Sequence, residues 1–228
     1  MTNAVFNNIN KLIDIDTKIK ANDIINSINT KIIDIVYLID TTGSMRDEVK
    51  TASNLVIQNM VNLEKLHPDI DFKFGLIYYN DPVDVSTDFN DYLQLTKDIN
   101  KIRNFCDKWK TQDGGDTAED WAGGYKIALY YIYWRNGKKI IVHICDAPAH
   151  GEKYSKKEGD NHKDKIYENE LDNLMKNCAE KNIEIVGMYR NIAAKECFLE
   201  CKKIYNFNGG ISFVLQEYDS IKGFDVGI

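Results

Sequence analysis

What constrains this chain most is the alternation of two hydrophobic periods. Lys31–Ile39 (KIIDIVYLI) is a short, β-branched, nearly continuous apolar run, the pattern of a strand buried on both faces of a parallel sheet. Met45–Leu66 follows, with Val49, Leu55, Val56, Met60 and Leu63 near helical spacing. Asp71–Tyr79 reads as the next strand, and the Asn-Asp-Pro opening of Asn80–Leu95 reads as a turn leading into a polar stretch. Thr96–Trp109 reads as a helix capped by Thr96, Gln112–Asp116 as a breaker, and Ala118–Trp134 as a helix again. Lys138–Cys145 (KKIIVHIC) has the character of a central strand. Ala147–Asp164 has no apolar period, and a loop of that length inside a domain is often functional. The remainder alternates: helix Ile166–Lys181, strand Ile183–Tyr189, helix Ala193–Tyr205, strand Gly210–Leu215. Strands separated by helices require right-handed crossovers, so the expected fold is α/β, a doubly wound and mostly parallel sheet with helices on both faces.

A chain of 228 residues suits one such domain. The expected divisions are a helical arm over 1–30, the α/β domain over 31–215 and a short tail over 216–228. A core of this size folds without disulfides or a structural metal. The charge balance of 29 basic against 35 acidic side chains leaves −6, which repels nucleic acid and anionic membrane surfaces and favours cations where carboxylates cluster. Hydropathy shows no run near the roughly 20 apolar residues of a membrane span, and the N-terminus is too polar for a secretory leader. A cytoplasmic location is expected. The five cysteines fit that compartment as small apolar residues, with Cys197 and Cys201 four apart on one helix face.

In open parallel sheets, ligands bind beyond the carboxyl ends of the strands, where crossovers diverge. Three oxygen-rich turns fall at such places. Asp40-Thr41-Thr42-Gly43-Ser44 follows the first strand and can aim one carboxylate and two hydroxyls at one point, a donor set suited to Mg²⁺, Mn²⁺ or Ca²⁺. Gly114-Gly115-Asp116-Thr117-Ala118-Glu119 and Asp146-Ala147-Pro148-Ala149-His150-Gly151 lie at two further turns. Asp, Thr, Ser and Gly also serve as helix caps, and Thr117 with Asp120 has capping-box spacing. Three such turns on one sheet edge are harder to ascribe to capping. His150 reads as an exposed loop residue or a hydrogen-bond donor near Asp146, and His143 as a core histidine. Trp109, Trp121 and Trp134 read as sheet-packing residues.

Asp40-Thr41-Thr42-Gly43-Ser44-Met45 resembles the Asp-x-Ser/Thr-x-Ser motif of von Willebrand factor type A domains. The second and third turns resemble that family's other two site loops, most closely those of the subgroup found beside alpha-kinase catalytic domains in protists. The resemblance covers Lys31 to Leu215 and implies a metal-ion-dependent adhesion site holding Mg²⁺, or Mn²⁺ or Ca²⁺. The implied ligands are Asp40, Thr42, Ser44, either Asp116 or Thr117, and Asp146, direct or through water. It further implies a protein partner whose acidic side chain completes the coordination, with the metal acting as adhesive and not as catalyst. Many members place Thr directly after the glycine pair, where Asp116 stands here. With Asp116 inward, three carboxylates would face a dication and weaken the attraction for an acidic partner; with Thr117 inward, the charges would balance.

The rival reading is a Mg²⁺-dependent phosphatase of the haloacid dehalogenase type, with Asp40 as nucleophile. That chemistry needs a second acid two positions on, where this chain has Thr42. Ser44 lacks a Gly-x-Ser-x-Gly elbow, the first turn lacks a dinucleotide glycine pattern, and no kinase motif is present.

Overall fold

The computed structural model describes residues 31–81, 91–108, 115–156 and 159–218. Its strands are β1 (Ile32–Asp40), β2 (Asp71–Tyr79), β3 (Asp91–Thr96), β4 (Lys138–Cys145), β5 (Ile183–Tyr189) and β6 (Phe213–Glu217). Its helices are α1 (Arg46–Leu66), α2 (Ile99–Asp107), α3 (Trp121–Tyr130), α4 (Glu152–Ser155), α5 (Lys165–Glu180) and α6 (Ile192–Phe207). The strands form one sheet in the order β3-β2-β1-β4-β5-β6, parallel except where β3 runs against β2.

β1 shows why its run is apolar almost throughout. Ile35, Tyr37 and Ile39 pack beneath α1 and α2 against Val49, Val56 and Ile102. Val36 and Leu38 point the other way, beneath α3, α5 and α6, against Trp121, Tyr125, Leu174 and Phe198. Each fully buried side chain of this kind contributes about 1.5–3 kcal/mol of transfer free energy. α3 approaches the sheet closely because Gly124 has no side chain: a Cβ there would stand 2.7 Å from Leu38 Cδ1 and 3.2 Å from the Tyr79 ring. The chain leaves β1 through α1 on one face and β4 through α5 on the other. The neighbouring ends of β1 and β4 are therefore the topological switch point.

Several local expectations need correction. Asp91–Thr96, read as part of a polar stretch, is an edge strand. A register irregularity opposite Phe74 and Leu76 puts Leu93 and Leu95 on opposite faces, which breaks the period of two. The cap of α2 is Asp98, which accepts from the N–H of Asn100 and Lys101, while Thr96 ends β3. α3 begins only at Trp121, capped by Asp120, because the N–H groups of Thr117 and Glu119 are drawn to Gly159 O and Pro148 O of the loop after β4. It ends at Tyr130, beyond which the Trp134 indole donates back to Ala128 O at 2.7 Å.

The loop after β4 contains α4, and its Tyr154 and Ser155 are buried. β6 runs to Glu217, and Tyr218 beyond it is buried with its hydroxyl 3.3 Å from Cys145 O. His143 is a core residue as expected, held between the hydroxyls of Tyr79 at 2.8 Å and Tyr125 at 3.2 Å, and burial pushes its pKa down to about 3. Cys197 and Cys201 are buried on α6. The arm expected over 1–30, Trp109 and Gln112–Gly114 lie outside the described residues.

Candidate metal centre

Asp40 is the last residue of β1 and Asp146 directly follows β4. The register pairing Ile39 with Ile144 sets these two carboxylates side by side at the switch point. A 3-10 turn over Gly43–Met45 then folds the chain over them. The hydroxyls of this turn do not cap a helix. α1 is capped by Met45 with no side-chain hydrogen bond, and Thr42 likewise makes none to the turn's N–H groups. Instead the Thr42 hydroxyl donates to Asp40 Oδ1 at 2.8 Å, and the Ser44 hydroxyl donates to Asp146 Oδ1 at 2.9 Å. The two hydroxyl oxygens are 3.3 Å apart. The capping alternative for the first cluster is thereby excluded.

The second turn contributes differently at each position. Asp116 is half-buried, and its two oxygens accept from the N–H groups of Ala118 at 2.9 Å and Asn161 at 2.6 Å, tying this turn to the loop after β4. Thr117 is exposed on the wall of a cleft of about 400 Å³ that Thr42, Ser44, Glu119 and Asp146 also line. The residue that sequence reasoning missed is Glu119. It is 4% exposed, its N–H donates to Pro148 O at 2.9 Å, and its carboxyl is hydrogen-bonded with Thr42. Thr117 and Glu119 are two apart on an extended segment that bridges Ala149, and that spacing of two was the available signal for a shared face.

The electrostatics are those of crowded acids. Burial, then the charge of Asp146, pushes the Asp40 pKa up to about 7 against the opposing hydrogen bonds from Thr42. Burial, then the charge of Asp40, raises Glu119 to about 11. Asp40 Oδ2 and Glu119 Oε2 are buried without a hydrogen-bond partner. A buried oxygen left unpaired costs roughly 1–3 kcal/mol, and a hard cation would satisfy both at once. The donor set, all carboxylate and hydroxyl oxygen, therefore fits Mg²⁺, Mn²⁺ or Ca²⁺.

A second group, Asp116, His150 and Asp160, also brings potential ligand atoms within 4.8 Å of one another. Its chemistry is that of a staple. His150, expected to be exposed, is 3% exposed, with Nε2 2.9 Å from Asp81 Oδ1 and Nδ1 3.1 Å from Asp160 Oδ1. Asp160 also accepts from Gly151 N, His162 N and the Ser155 hydroxyl. Burial alone would lower the imidazole pKa; the hydrogen bonds and charges of Asp81 and Asp160 outweigh it and hold it up at about 9. This pinned ion triplet holds the loop that carries Asp146 against the end of β2.

A doubly wound sheet with such a switch point defines an α/β domain of the class in which ligands bind beyond the carboxyl ends of the strands. The family model described as von Willebrand factor A domain matches residues 34–165, and the chain belongs to that family. Among curated proteins it is similar to alpha-protein kinase vwkA of Dictyostelium discoideum, 28% identical over 123 residues, which is 54% of this chain and 19% of that protein. The chain thus matches under a fifth of the length of that relative. Among solved structures it is similar to the pilus adhesin SpaC of Lactobacillus rhamnosus GG in its open conformation, with TM-score 0.57 and 15% identity over 85% of this chain and 28% of that one. It is also similar to the SpRpn10 VWA domain, with TM-score 0.53 and 16% identity over 82% of this chain and 88% of that one. At these identities the solved structures speak to the fold alone. Among the described residues, no helix is long and apolar enough to cross a membrane.

Proposed function

We propose that this chain is a divalent-cation-dependent protein-binding module that works as an adhesive or scaffold inside the cell. The observation that carries the reading is the pair of buried, partnerless carboxylate oxygens on Asp40 and Glu119, set beside Ser44 and Asp146 at the switch point. Asp40, Thr42, Ser44 and Asp146 would hold Mg²⁺, or Mn²⁺ or Ca²⁺, with Thr117 as the second-turn donor. Asp116 joins them as a residue that fixes the loop. The bound ion would supply a coordination position for an oxygen of a protein partner, an acidic side chain in the form the family resemblance implies. The net charge of −6 argues against nucleic acid or an anionic membrane as that partner. Nothing among the described residues favours the phosphatase: Thr42 stands where its proton donor would be needed and spends its hydroxyl on Asp40.

Capture from cytosol of the source cells tests this reading. Proteins retained by the immobilised chain in Mg²⁺ are expected to fall at least about tenfold when chelator is added, and equally with Asp40→Ala. The variant should keep its fold, checked by circular dichroism, because relief of the partnerless Oδ2 offsets part of the loss of the two Thr42 bonds to Oδ1. Retention that ignores both chelator and substitution would contradict the reading.

A further inference from the structure

We propose that Glu119 is itself a ligand of the cation, a third carboxylate supplied by the chain beside Asp40 and Asp146. The inference rests on the reading that this edge holds a divalent ion, and it adds to the ligands implied by the family resemblance a residue that they do not include. Three observations support it. Glu119 is 4% exposed, it lines the cleft with Thr42, Ser44 and Asp146, and its Oε2, like Asp40 Oδ2, is buried without a hydrogen-bond partner. Its carboxyl shares Thr42 with Asp40, so both acids converge on one hydroxyl. Its backbone is paired with the loop after β4, through the hydrogen bond to Pro148 O that forms part of the bridge to Ala149, so the side chain is set into the lining of the cleft and does not swing from solvent.

Asp160 stitches the fold by spending its oxygens on donors, Gly151 N, Ser155, His162 N and His150. Glu119 leaves one oxygen unspent where a hard cation would use it. Three carboxylates against a dication leave one net negative charge. The ion is then held before any partner arrives, and a partner's acidic side chain is drawn less strongly than to a site with two carboxylates. The charge question that sequence reading placed on Asp116 passes to Glu119.

Calorimetric titration with Mn²⁺ alone tests this on the wild-type chain and on Glu119→Gln, Glu119→Asp and Asp40→Ala. Thermal unfolding in chelator verifies that each variant is folded. Glu119→Gln keeps the shape and removes the charge, and it should weaken Mn²⁺ binding by at least about tenfold, the smallest effect usual for residues around a metal. Glu119→Asp keeps the charge and retracts it by one methylene. Direct ligation predicts weakening here too, whereas a role through background charge predicts wild-type affinity. Wild-type affinity in Glu119→Gln or in Glu119→Asp, with binding lost in Asp40→Ala, would overturn the inference and leave the cation reading standing. Wild-type affinity in Asp40→Ala would overturn the cation reading, and the inference with it.

Discussion

In urea titrations near neutral pH, His150→Ala is expected to lose about 3–5 kcal/mol of stability, the usual cost of removing one member of a buried ion pair. The imidazole stands between Asp81 and Asp160, both carboxyls buried, at 2.9 Å and 3.1 Å. Without it, two acids face each other across a space with no cation. The pH dependence carries a definite sign. Because the folded pKa is held at about 9, above the ordinary 6.5, the contribution of His150 is fully present below about pH 6.5 and is lost as pH rises through about 9. Burial would raise the Asp160 pKa, yet Ser155, His150 and the N–H groups of His162 and Gly151 bring it below the ordinary 3.8, so its share is lost as the solution turns acid. The wild type should therefore weaken between pH 6.5 and 9 more steeply than His150→Ala, whose remaining slope comes from the raised Asp40 and Glu119. A loss under about 1 kcal/mol, or an unchanged alkaline slope in the variant, would mean that the triplet is not ionised as described.

Arg135→Ala is expected to cost a similar 3–5 kcal/mol at the opposite end of the sheet. Asp34 interrupts the apolar run of β1 at 1% exposure. Arg135 answers it twice, with its backbone N–H at 2.7 Å from Oδ2 and Nε at 2.7 Å from Oδ1. The guanidinium continues to Asp71 Oδ2 at 2.8 Å and Asp71 O at 2.7 Å, tying the first residues of β2 to β1. Arg135→Lys should recover only part of the loss, since an ammonium cannot reproduce the planar fork. Equal stability of the lysine variant and the wild type would show that charge alone, and not geometry, holds Asp34.

These two cations also mark where sequence reading succeeds and where it stops. The β1 and β4 runs are legible because burial on both faces leaves no room for alternation. Asp40 and Asp146 are legible because an acid directly after such a run has to lie at the carboxyl edge of the sheet. β3 is not, because an edge strand with an irregular register shows no clean period. Glu119 and His150 are hidden for a different reason: their roles depend on the approach of the loop after β4 to the segment before α3, a contact between residues some thirty positions apart (149 − 119 = 30). Local pattern carries no trace of that contact, so a buried, doubly bonded histidine and an exposed loop histidine look alike in the chain.

The central claim is that a cation sits where β1 and β4 diverge. Crystals of the chain grown with Mn²⁺, with diffraction recorded at the manganese absorption edge, test it most directly. An anomalous peak is expected among Asp40, Ser44, Glu119 and Asp146. No peak there, or a peak confined to Asp116, His150 and Asp160, would contradict it.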